Sequence, residues 1–429
     1  MSHILIQGGR VIDPAAGTDG VRDVRLRDGV IVEVGENLQP NGATMVGAKG
    51  LVVAPGFVDI HVHLREPGQE GKETVASGTR AAALGGVTSV ACMPNTIPAL
   101  DSAAMIQYVL HKAATEGVVR VYPLGCISQE RKGEVMADLA ALKEAGAVAF
   151  TDDGNAVMNA LLARRAMINC RTLGVPYIEH AEDEHLIDGG VMHEGRVSLR
   201  LGLAGRSAIA EDVIVGRDVM LADETGAHFH VAHISSSRSV EIVRQGRARG
   251  VRVTAEVTPH HLALTDEAVG EFDTQMKVNP PVRDDAHRLA LIAGLKDGTI
   301  DAIATDHAPH GPLDKDVEFN QAASGMIGLE TLLPLCLAAL VRPGHLTLPG
   351  VIRLITVAPA RLLNLPGGSL APGAPADVTV FDELANWTVE AKTLASKSKN
   401  TPFLGKTMTG RVVHTFVGGR QVVREGGLT

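Results

Sequence analysis

The 429-residue chain is poor in cysteine and has neither a long apolar run nor a run of basic residues. Its four cysteines are far apart and form no Cys-x-x-Cys pair, which excludes a disulfide framework and favours buried thiols in a reducing compartment. No apolar stretch is long enough to span a membrane, and the N-terminus lacks the basic and apolar regions of a secretion signal. The formal net charge is −9 and basic residues are not interleaved with aromatic ones, so nucleic acid is not an expected partner. We therefore expect a cytoplasmic protein without a membrane anchor.

Two common nucleotide-binding motifs are also missing. The first long apolar strand is followed by His61-Val62-His63 instead of the glycine-rich turn of dinucleotide-binding folds. Gly405-Lys406-Thr407 lacks the preceding glycine of a phosphate-binding loop. These absences argue against an open, doubly wound nucleotide-binding sheet.

From residue 52 onward, apolar strand-like runs alternate with amphipathic helical stretches. The runs are almost continuously apolar, as is typical of parallel strands that are covered on both faces. Eight β-α units in succession predict an α/β protein built around a parallel (β/α)8 barrel. The predicted strands lie near 52–60, 87–93, 119–126, 147–151, 176–180, 228–234, 251–257 and 300–305. The predicted helices lie near 73–85, 101–116, 134–145, 157–173, 207–225, 237–249, 284–297 and 328–341.

Short alternating strands with glycine-rich turns occupy both ends of the chain and are absent from its middle. We therefore expect residues 1–53 and 362–429 to form one small composite β-sandwich domain beside a barrel domain of residues 54–361. Two long segments with little periodicity, 181–206 and 307–327, are expected to be loops above the barrel. Segments of this kind often act as lids, although many have no function of their own.

Ionisable side chains follow many of the predicted strands, and in barrels of this kind the functional side chains lie at the C-terminal strand ends. His61 and His63 are two positions apart, so they point to the same side of a strand and can bind one ion. Each ligand candidate has a structural alternative: a hydrogen-bonded histidine, a turn aspartate or a helix cap. Six candidates at one rim nevertheless suit two metal ions that share a carboxylate and a water, which indicates hydrolysis of an amide, ester or phosphate bond. They are His61, His63, Asp153, His180, His233 and Asp306.

Other polar residues near these ends have separate expected roles. Asp306 could contact an ion and the bridging water together, so we expect it to carry a proton from the water to the leaving group. Arg65, Asn95 and His310 could form a carboxylate receptor, although a surface salt bridge is the alternative for Arg65.

Two further groups of polar residues are expected to be structural. Ser235-Ser236-Ser237 could include a nucleophile, but we expect these serines to cap a helix. His260 and His261 are expected to lie in or behind the layer around the metal ligands.

Several motifs match a known family from end to end. They are Asp59–Gly68, Met93–Thr96, Phe150–Gly154, Glu179–Asp183, Lys277–Pro281 and Ala304–His310, with the closing segment Gly373–Asp377. Together they resemble the class I dihydroorotases of the amidohydrolase superfamily.

The resemblance implies a zinc-dependent cyclic amidase that interconverts N-carbamoyl-L-aspartate and dihydroorotate in pyrimidine synthesis. His61, His63 and Asp306 would hold the first of two zinc ions, His180 and His233 the second, and Asp153 would bridge them. A bridging hydroxide would attack the ring amide, with Asp306 as the proton shuttle. Many relatives use a carboxylated lysine as the bridge at the fourth strand; no lysine lies near that end here, which argues against hydantoinase and allantoinase.

The same resemblance implies a set of substrate contacts. Arg65, Asn95 and His310 would bind the substrate carboxylate beside His63, with Asn279 nearby. The backbone at Ser324 and Gly325 would contact the ring. Family members commonly have Pro-Phe-Gly where this chain has Ala323-Ser324-Gly325, so the missing aromatic ring could loosen substrate preference.

Two alternatives remain at this point. Another cyclic amidase of the hydantoinase or allantoinase kind would act on substrates without the carboxylate that Arg65 is expected to bind. A non-catalytic scaffold of aspartate transcarbamoylase would have lost metal ligands, and all six candidates are present. A homo-oligomer and a partnership with aspartate transcarbamoylase stay open.

Overall fold

The computed structural model describes residues 3–429, so the first two residues of the N-terminus considered above lie outside the described residues. Its N-terminal region contains strands and no helix. These strands are β1 (His3–Asp13), β2 (Thr18–Arg27), β3 (Val30–Gly35), β4 (Thr44–Gly47) and β5 (Val52–Pro55).

Strands and helices then alternate, as the sequence predicts. The strands are β6 (Phe57–Val62), β7 (Val87–Cys92), β8 (Arg120–Pro123), β9 (Tyr177–Glu179), β10 (Met192–His193), β11 (Gly205–Arg206), β12 (Phe229–Val231), β13 (Val253–Val257) and β14 (Ala302–Ile303). The helices are α1 (Val75–Leu84), α2 (Ala103–Glu116), α3 (Leu139–Ala145), α4 (Ala160–Leu173), α5 (Glu184–Ile187), α6 (Arg196–Leu201), α7 (Ile209–Thr225), α8 (Ser237–Ala248), α9 (Pro259–Ala263), α10 (Asp285–Asp297) and α11 (Pro312–Lys315).

The C-terminal region begins with three helices and returns to long strands. The helices are α12 (Leu332–Cys336), α13 (Leu348–Leu354) and α14 (Val357–Leu362). The strands are β15 (Val378–Thr388), β16 (Thr407–Val417), β17 (Arg420–Arg424) and β18 (Gly427–Leu428).

One nine-stranded sheet joins the two ends of the chain, in the order β18-β17-β16-β15-β5-β1-β2-β3, with β4 beside β1. Strand β5 is the junction, because it pairs in parallel with β1 and antiparallel with β15. Strands from both ends of the chain therefore lie in one sheet, and the β-sandwich domain itself stays a prediction. The pairings of β1 with β4 and β5 are parallel, which requires long connections between these strands instead of hairpins.

The predicted first barrel strand, 52–60, is in fact two strands that belong to different sheets. Residues Val52–Pro55 pair within the nine-stranded sheet, whereas Phe57–Val62 pair with β7. Gly56 separates them at a tight contact, where an added Cβ would lie 2.1 Å from Thr88 Oγ1. A side chain at this crossing would therefore collide with the neighbouring strand.

The middle of the chain forms two larger parallel sheets, β6-β7-β8 and β9-β12-β13-β14, and a short parallel pair, β10-β11. The predicted fourth strand, 147–151, is not a regular strand. Its residue Phe150 instead makes single parallel bridges to Gly125 and to Tyr177, which lie at the facing edges of the two sheets. At the other edges, Val62 makes a parallel bridge to His307. The structure is thus an α/β protein with mixed sheets.

Neighbouring residues on these strands belong to different core clusters. Phe57, Val90 and Tyr177 pack with the surrounding helices, whereas Val58, Ala91 and Ile178 pack in an inner cluster. Both faces of the parallel strands are therefore buried, as their apolar sequences predict.

Most predicted helices are confirmed within a few residues, with two exceptions. Helix α3 begins only at Leu139, because the Asp138 side chain accepts a hydrogen bond from Ala141 N and caps it. The helix expected over 328–341 is divided into a 3₁₀ turn, α12 and a π-helical segment, Leu337–Val341. Within residues 3–429, every helix is too short or too polar to cross a lipid bilayer.

Candidate active site

The C-terminal strand ends surround a cavity of about 160 Å³. Every predicted site residue except His61 lines this cavity. His61 is fully buried behind the cavity wall. The lining residues are His63, Arg65, Asn95, Asp153, Gly154, His180, His233, Asn279, Asp306, Ala308, His310, Ser324 and Gly325.

Two histidines at the end of β6 and a carboxylate that follows β14 form the first cluster. Oδ1 of Asp306 lies 3.6 Å from Nε2 of His61 and 3.0 Å from Nε2 of His63. Nε2 of His61 and Nε2 of His63 thus both face the Asp306 carboxylate, as the His-x-His spacing predicts.

A second cluster lies beside the first. Oδ1 of Asp153 is 3.6 Å from Nδ1 of His180 and 3.5 Å from Nε2 of His233, and those two nitrogens are 2.9 Å apart. Asp153 also faces the first cluster, with Oδ1 3.4 Å from His61 Nε2 and Oδ2 3.6 Å from His63 Nε2. Its carboxylate therefore lies between the two groups of histidines.

The residues present fit metal ions. Nε2 of His61 and Oδ1 of Asp153 are buried and have no hydrogen-bond partner, which is costly unless a ligand occupies the space between them. A tetrahedral ion with ligands at 2.0–2.1 Å separates those ligands by about 3.3 Å, close to the spacings in both clusters. Imidazole and carboxylate are also the donor set that zinc and related ions prefer.

Each cluster is oriented by groups behind it. Nδ1 of His61 lies 2.6 Å from Oε1 of Glu256, and Nδ1 of His63 lies 2.9 Å from Oδ1 of Asn95. On the other side of the site, His180 Nε2 lies 3.3 Å from Glu182 Oε2. Partners of this kind fix the ring orientation and leave the opposite nitrogen free for a metal.

Electrostatics in the site favour a cation. Burial opposes ionisation of Asp153, but His61, His180 and His233 hold its pKa well below the usual range. Burial also opposes protonation of His61, yet Asp153 and Glu256 raise its pKa well above the ordinary value. For Asp306, burial is again outweighed by the histidines, chiefly His63, and its pKa is lowered. The carboxylates are therefore ionised and supply negative charge around the ring nitrogens.

Three of the site residues have left-handed backbone conformations, which non-glycine residues rarely adopt. The φ angles are 61° at Arg65, 31° at His233 and 47° at Asp306. Such conformations cost free energy and persist where the surrounding packing imposes them. Here they turn the side chains at the strand ends into the cavity.

The far wall of the cavity is a polar receptor. Arg65 donates from Nε to the Pro309 carbonyl at 3.1 Å, and His310 Nε2 lies 2.9 Å from the Ser324 carbonyl. Burial lowers the pKa of Arg65 to about 10, so the guanidinium stays charged at neutral pH. Asn400 supports this wall by donating from Nδ2 to the carbonyls of Ala308 and Gly325.

Some contributors were not predicted from the sequence. Glu256, Glu182 and Asn400 orient site residues, and Gly154 and Ala308 line the cavity. The only sequence signal for Glu256 is a charged residue inside an otherwise apolar strand, Val253–Val257.

The groups expected to be structural lie outside the cavity. Ser236 accepts from Arg238 N and caps α8, and His261 is hydrogen-bonded to Thr258 and to the Pro280 carbonyl. His260 is buried with an unpartnered Nε2 and does not line the cavity.

Comparison with known proteins identifies the family. The chain matches a "Dihydro-orotase-like" model over residues 50–239 and an "Amidohydrolase family" model over residues 219–423. It is 53% identical to a dihydroorotase of Anaeromyxobacter sp. (strain K), covering 99% of both chains. It is 52% identical to a dihydroorotase of Geobacter sp. (strain M21), covering 99% of this chain and 100% of that one. The chain belongs to the dihydroorotase family.

Solved structures with the same fold are named as hydantoinases and dihydropyrimidinases. L-hydantoinase from Arthrobacter aurescens matches with a TM-score of 0.90 over 100% of this chain and 98% of that one, at 24% identity. Dihydropyrimidinase from Brevibacillus agri matches with a TM-score of 0.87 at 23% identity. At this identity the likeness shows a shared fold alone. Membership of the dihydroorotase family instead rests on the sequence relatives, and it makes the protein a hydrolase whose two histidine clusters suit a metal cofactor.

Proposed function

We propose that this protein is a dihydroorotase enzyme, which interconverts N-carbamoyl-L-aspartate and dihydroorotate in pyrimidine synthesis. One observation carries the proposal: a single small cavity combines two adjoining histidine–carboxylate clusters with an arginine, an asparagine and a histidine on the opposite wall. The clusters suit cleavage of a cyclic amide, and the opposite wall suits recognition of a carboxylate on the same ring.

The proposed cofactor is two zinc ions per chain. His61, His63 and Asp306 would hold one, His180 and His233 the other, and Asp153 would bridge them. When bound, zinc would supply an activated water at neutral pH and polarise the amide carbonyl.

Asp306 is the proposed proton carrier. Its Oδ1 faces both His61 and His63, and its side chain lines the cavity, so one carboxylate borders both the ligand cluster and the substrate space. In the hydrolytic direction the carboxylate accepts a proton from the attacking water and gives it to the leaving ring nitrogen. In the biosynthetic direction the same transfers run in reverse.

Arg65, Asn95 and His310 are proposed to bind the substrate carboxylate. The fixed planar guanidinium of Arg65 is suited to a carboxylate, and its contacts with Pro309 and His310 hold it in the cavity wall. His63 borders this region, Asn279 lies alongside, and the backbone at Ser324 and Gly325 faces the ring. With serine at 324, no aromatic side chain covers the ring from this segment.

Several structural features also belong to the proposal. We infer that the two parallel sheets, joined through the bridges of Phe150 and of Val62, form a closed (β/α)8 barrel over residues 54–361. Residues 1–53 and 362–429 would form the β-sandwich domain. The four buried, free cysteines suit a cytoplasmic location.

The test is turnover of dihydroorotate and N-carbamoyl-L-aspartate by the purified full chain, with metal content measured on the same sample. Hydantoin, allantoin and dihydrouracil serve as substrates without the carboxylate. Turnover of dihydroorotate with about two zinc per chain would support the proposal. Preference for hydantoin or allantoin would indicate the other cyclic amidases, and a chain that stays inactive after zinc is restored would indicate the scaffold.

A further inference from the structure

A large cavity lies away from the active site. It is a cleft of about 480 Å³ between strands β15 and β16 on one side and the start of α12 on the other. None of its lining residues lines the active-site cavity. The cleft is therefore a separate space, about three times as large as the proposed substrate site.

An aromatic and apolar surface forms much of the cleft. Trp387 lines it, and the indole N–H donates to the Gly410 carbonyl at 2.9 Å, which fixes the orientation of the ring. Leu333, Pro334 and Val412 complete this surface. A fixed indole beside aliphatic side chains is suited to a flat apolar group.

The mouth of the cleft is cationic. Arg411 is exposed and lines the cleft, and no residue between 3 and 429 forms an ion pair or hydrogen bond with its guanidinium. It lies against the backbone of Gly426, where an added Cβ would be 3.1 Å from Nη2. Lys392 also lines the cleft, and its charge is shared with Glu390 at 2.9 Å. The free positive charge is thus that of Arg411, which suits an anionic group on the ligand.

The floor of the cleft is connected to the active site by one segment, residues 392–400. The Glu330 carboxylate lines the cleft and accepts hydrogen bonds from Ala395 N at 3.0 Å and Ser396 N at 3.2 Å. The Ser396 hydroxyl then donates to Glu73, which also lies 3.3 Å from Nε2 of His307, the residue after Asp306.

Asn400, at the end of the same segment, forms hydrogen bonds with residues that line the active-site cavity. Asn400 donates to the carbonyls of Ala308 and Gly325, and its Oδ1 accepts from His310 N at 3.0 Å. A ligand that displaces or orders residues 392–395 would therefore act on a segment whose other end positions the cavity lining.

We propose that this cleft binds a small planar aromatic anion, and that occupancy of the cleft is transmitted to the active site through residues 392–400. The ring would pack on Trp387 and the anionic group would pair with Arg411. This is an effector site separate from the proposed catalytic one.

The probe is 1-anilinonaphthalene-8-sulfonate, an aromatic anion, added to the full-length chain. Trp387 is the only tryptophan, so energy transfer from tryptophan to the probe reports binding near this residue. We expect saturable transfer, about tenfold weaker affinity in Arg411→Gln, and unchanged affinity in Arg420→Gln, an exposed arginine of β17 outside the cleft. Trp387→Phe should abolish the transfer but keep the directly excited fluorescence of the bound probe. The uncharged analogue, N-phenyl-1-naphthylamine, should bind more weakly than the sulfonate.

Amide hydrogen exchange tests the second half of the proposal without using turnover. Saturating probe should slow exchange in residues 392–400 and also in 305–310 of the wild-type chain. Transfer that is not saturable, or that is equal in Arg411→Gln and wild type, would overturn the site. Protection confined to the residues around Trp387 would overturn the link to the active site. Loss of transfer on raising the protein concentration would show that a second copy of the chain occupies the cleft, and would also overturn the assignment.

Discussion

Nδ1 of His61 lies 2.6 Å from Oε1 of Glu256, so a carboxylate on strand β13 orients a histidine on strand β6. Glu256 also receives a contact from His230 Nε2 at 3.2 Å. Burial opposes its ionisation, but His61 and His230 lower its pKa to about 2. The ionised carboxylate thus favours the His61 tautomer whose Nε2 is free to bind a metal.

Replacing the Glu256 carboxylate by an amide should lower the affinity of the site for metal. In Glu256→Gln the shape is kept but the charge on the partner of His61 is lost, and we expect metal affinity to fall by about 10–100-fold. Competition with a chromophoric chelator measures this affinity. Glu241→Gln, on the exposed side of α8, is the matched control, and an equal loss in both variants would contradict the role of Glu256.

The role of Asp306 predicts separate effects on turnover and on metal content. Asp306→Asn keeps an oxygen that can face His61 and His63 but cannot carry the proton, so turnover should fall by about 10²–10⁴-fold while metal content stays near the wild-type value. Asp223→Asn, on the exposed side of helix α7 and away from the cavity, is the control. Near-normal turnover in Asp306→Asn would exclude the proton-transfer role.

Arg65 should determine preference for a substrate carboxylate. Loss of its charge-assisted hydrogen bonds in Arg65→Gln should raise KM for dihydroorotate by about 10–100-fold. Turnover of dihydrouracil, which has the ring without the carboxylate, should change much less. If both substrates are affected equally, Arg65 supports the cavity wall and does not recognise the carboxylate.

A buried histidine remote from the site predicts part of the acid sensitivity of folding. Burial, with a smaller effect of His230, lowers the pKa of His228 to about 3 from an ordinary value of 6.5, while its Nε2 is hydrogen-bonded to Thr254. Between these pH values the unfolded chain binds a proton that the folded chain does not, so this contribution to stability is complete above pH 6.5 and is lost as the pH falls toward 3. Denaturant titrations at pH 7 and pH 5 measure it. In His228→Gln the free energy of unfolding should fall less between pH 7 and pH 5 than in the wild-type chain. In the control His111→Gln, on the exposed face of α2, it should fall as in the wild type. An equal fall in all three chains would contradict the role of His228.

The grouping of the six candidate ligands could be predicted from the sequence because strand ends and residue spacing are local properties; their role as ligands stays a prediction. His61 and His63 follow an apolar run, and Asp153, His180, His233 and Asp306 follow others, so a parallel arrangement alone brings them to one edge. The role of Glu256 could not be predicted, because it depends on a contact with His61, which is 195 positions away in the chain. Residues 147–151 were predicted as a strand from their apolar character, but the chain there makes only single bridges at Phe150. The 480 Å³ cleft depends on the packing of the terminal sheet against α12, which no local pattern encodes.

The cavity wall at Gly325 gives a prediction in which space, and not backbone conformation, decides the outcome. Gly325 has a φ of 140°, and an added Cβ would lie 2.7 Å from Ala308 Cβ and 3.0 Å from His310 Cδ2. Gly344 also has a positive φ, 75°, but no atom lies within 4 Å of an added Cβ. Both alanine variants carry a conformational cost of about 1 kcal/mol, whereas only Gly325→Ala pushes on residues that line the cavity. We expect kcat/KM for dihydroorotate to fall at least about tenfold in Gly325→Ala and to stay near wild type in Gly344→Ala, with stability lowered in both. Equal activities in the two variants would mean that Ala308 and His310 move to accommodate the methyl group. The backbone at residue 325 would then not set the position of the substrate.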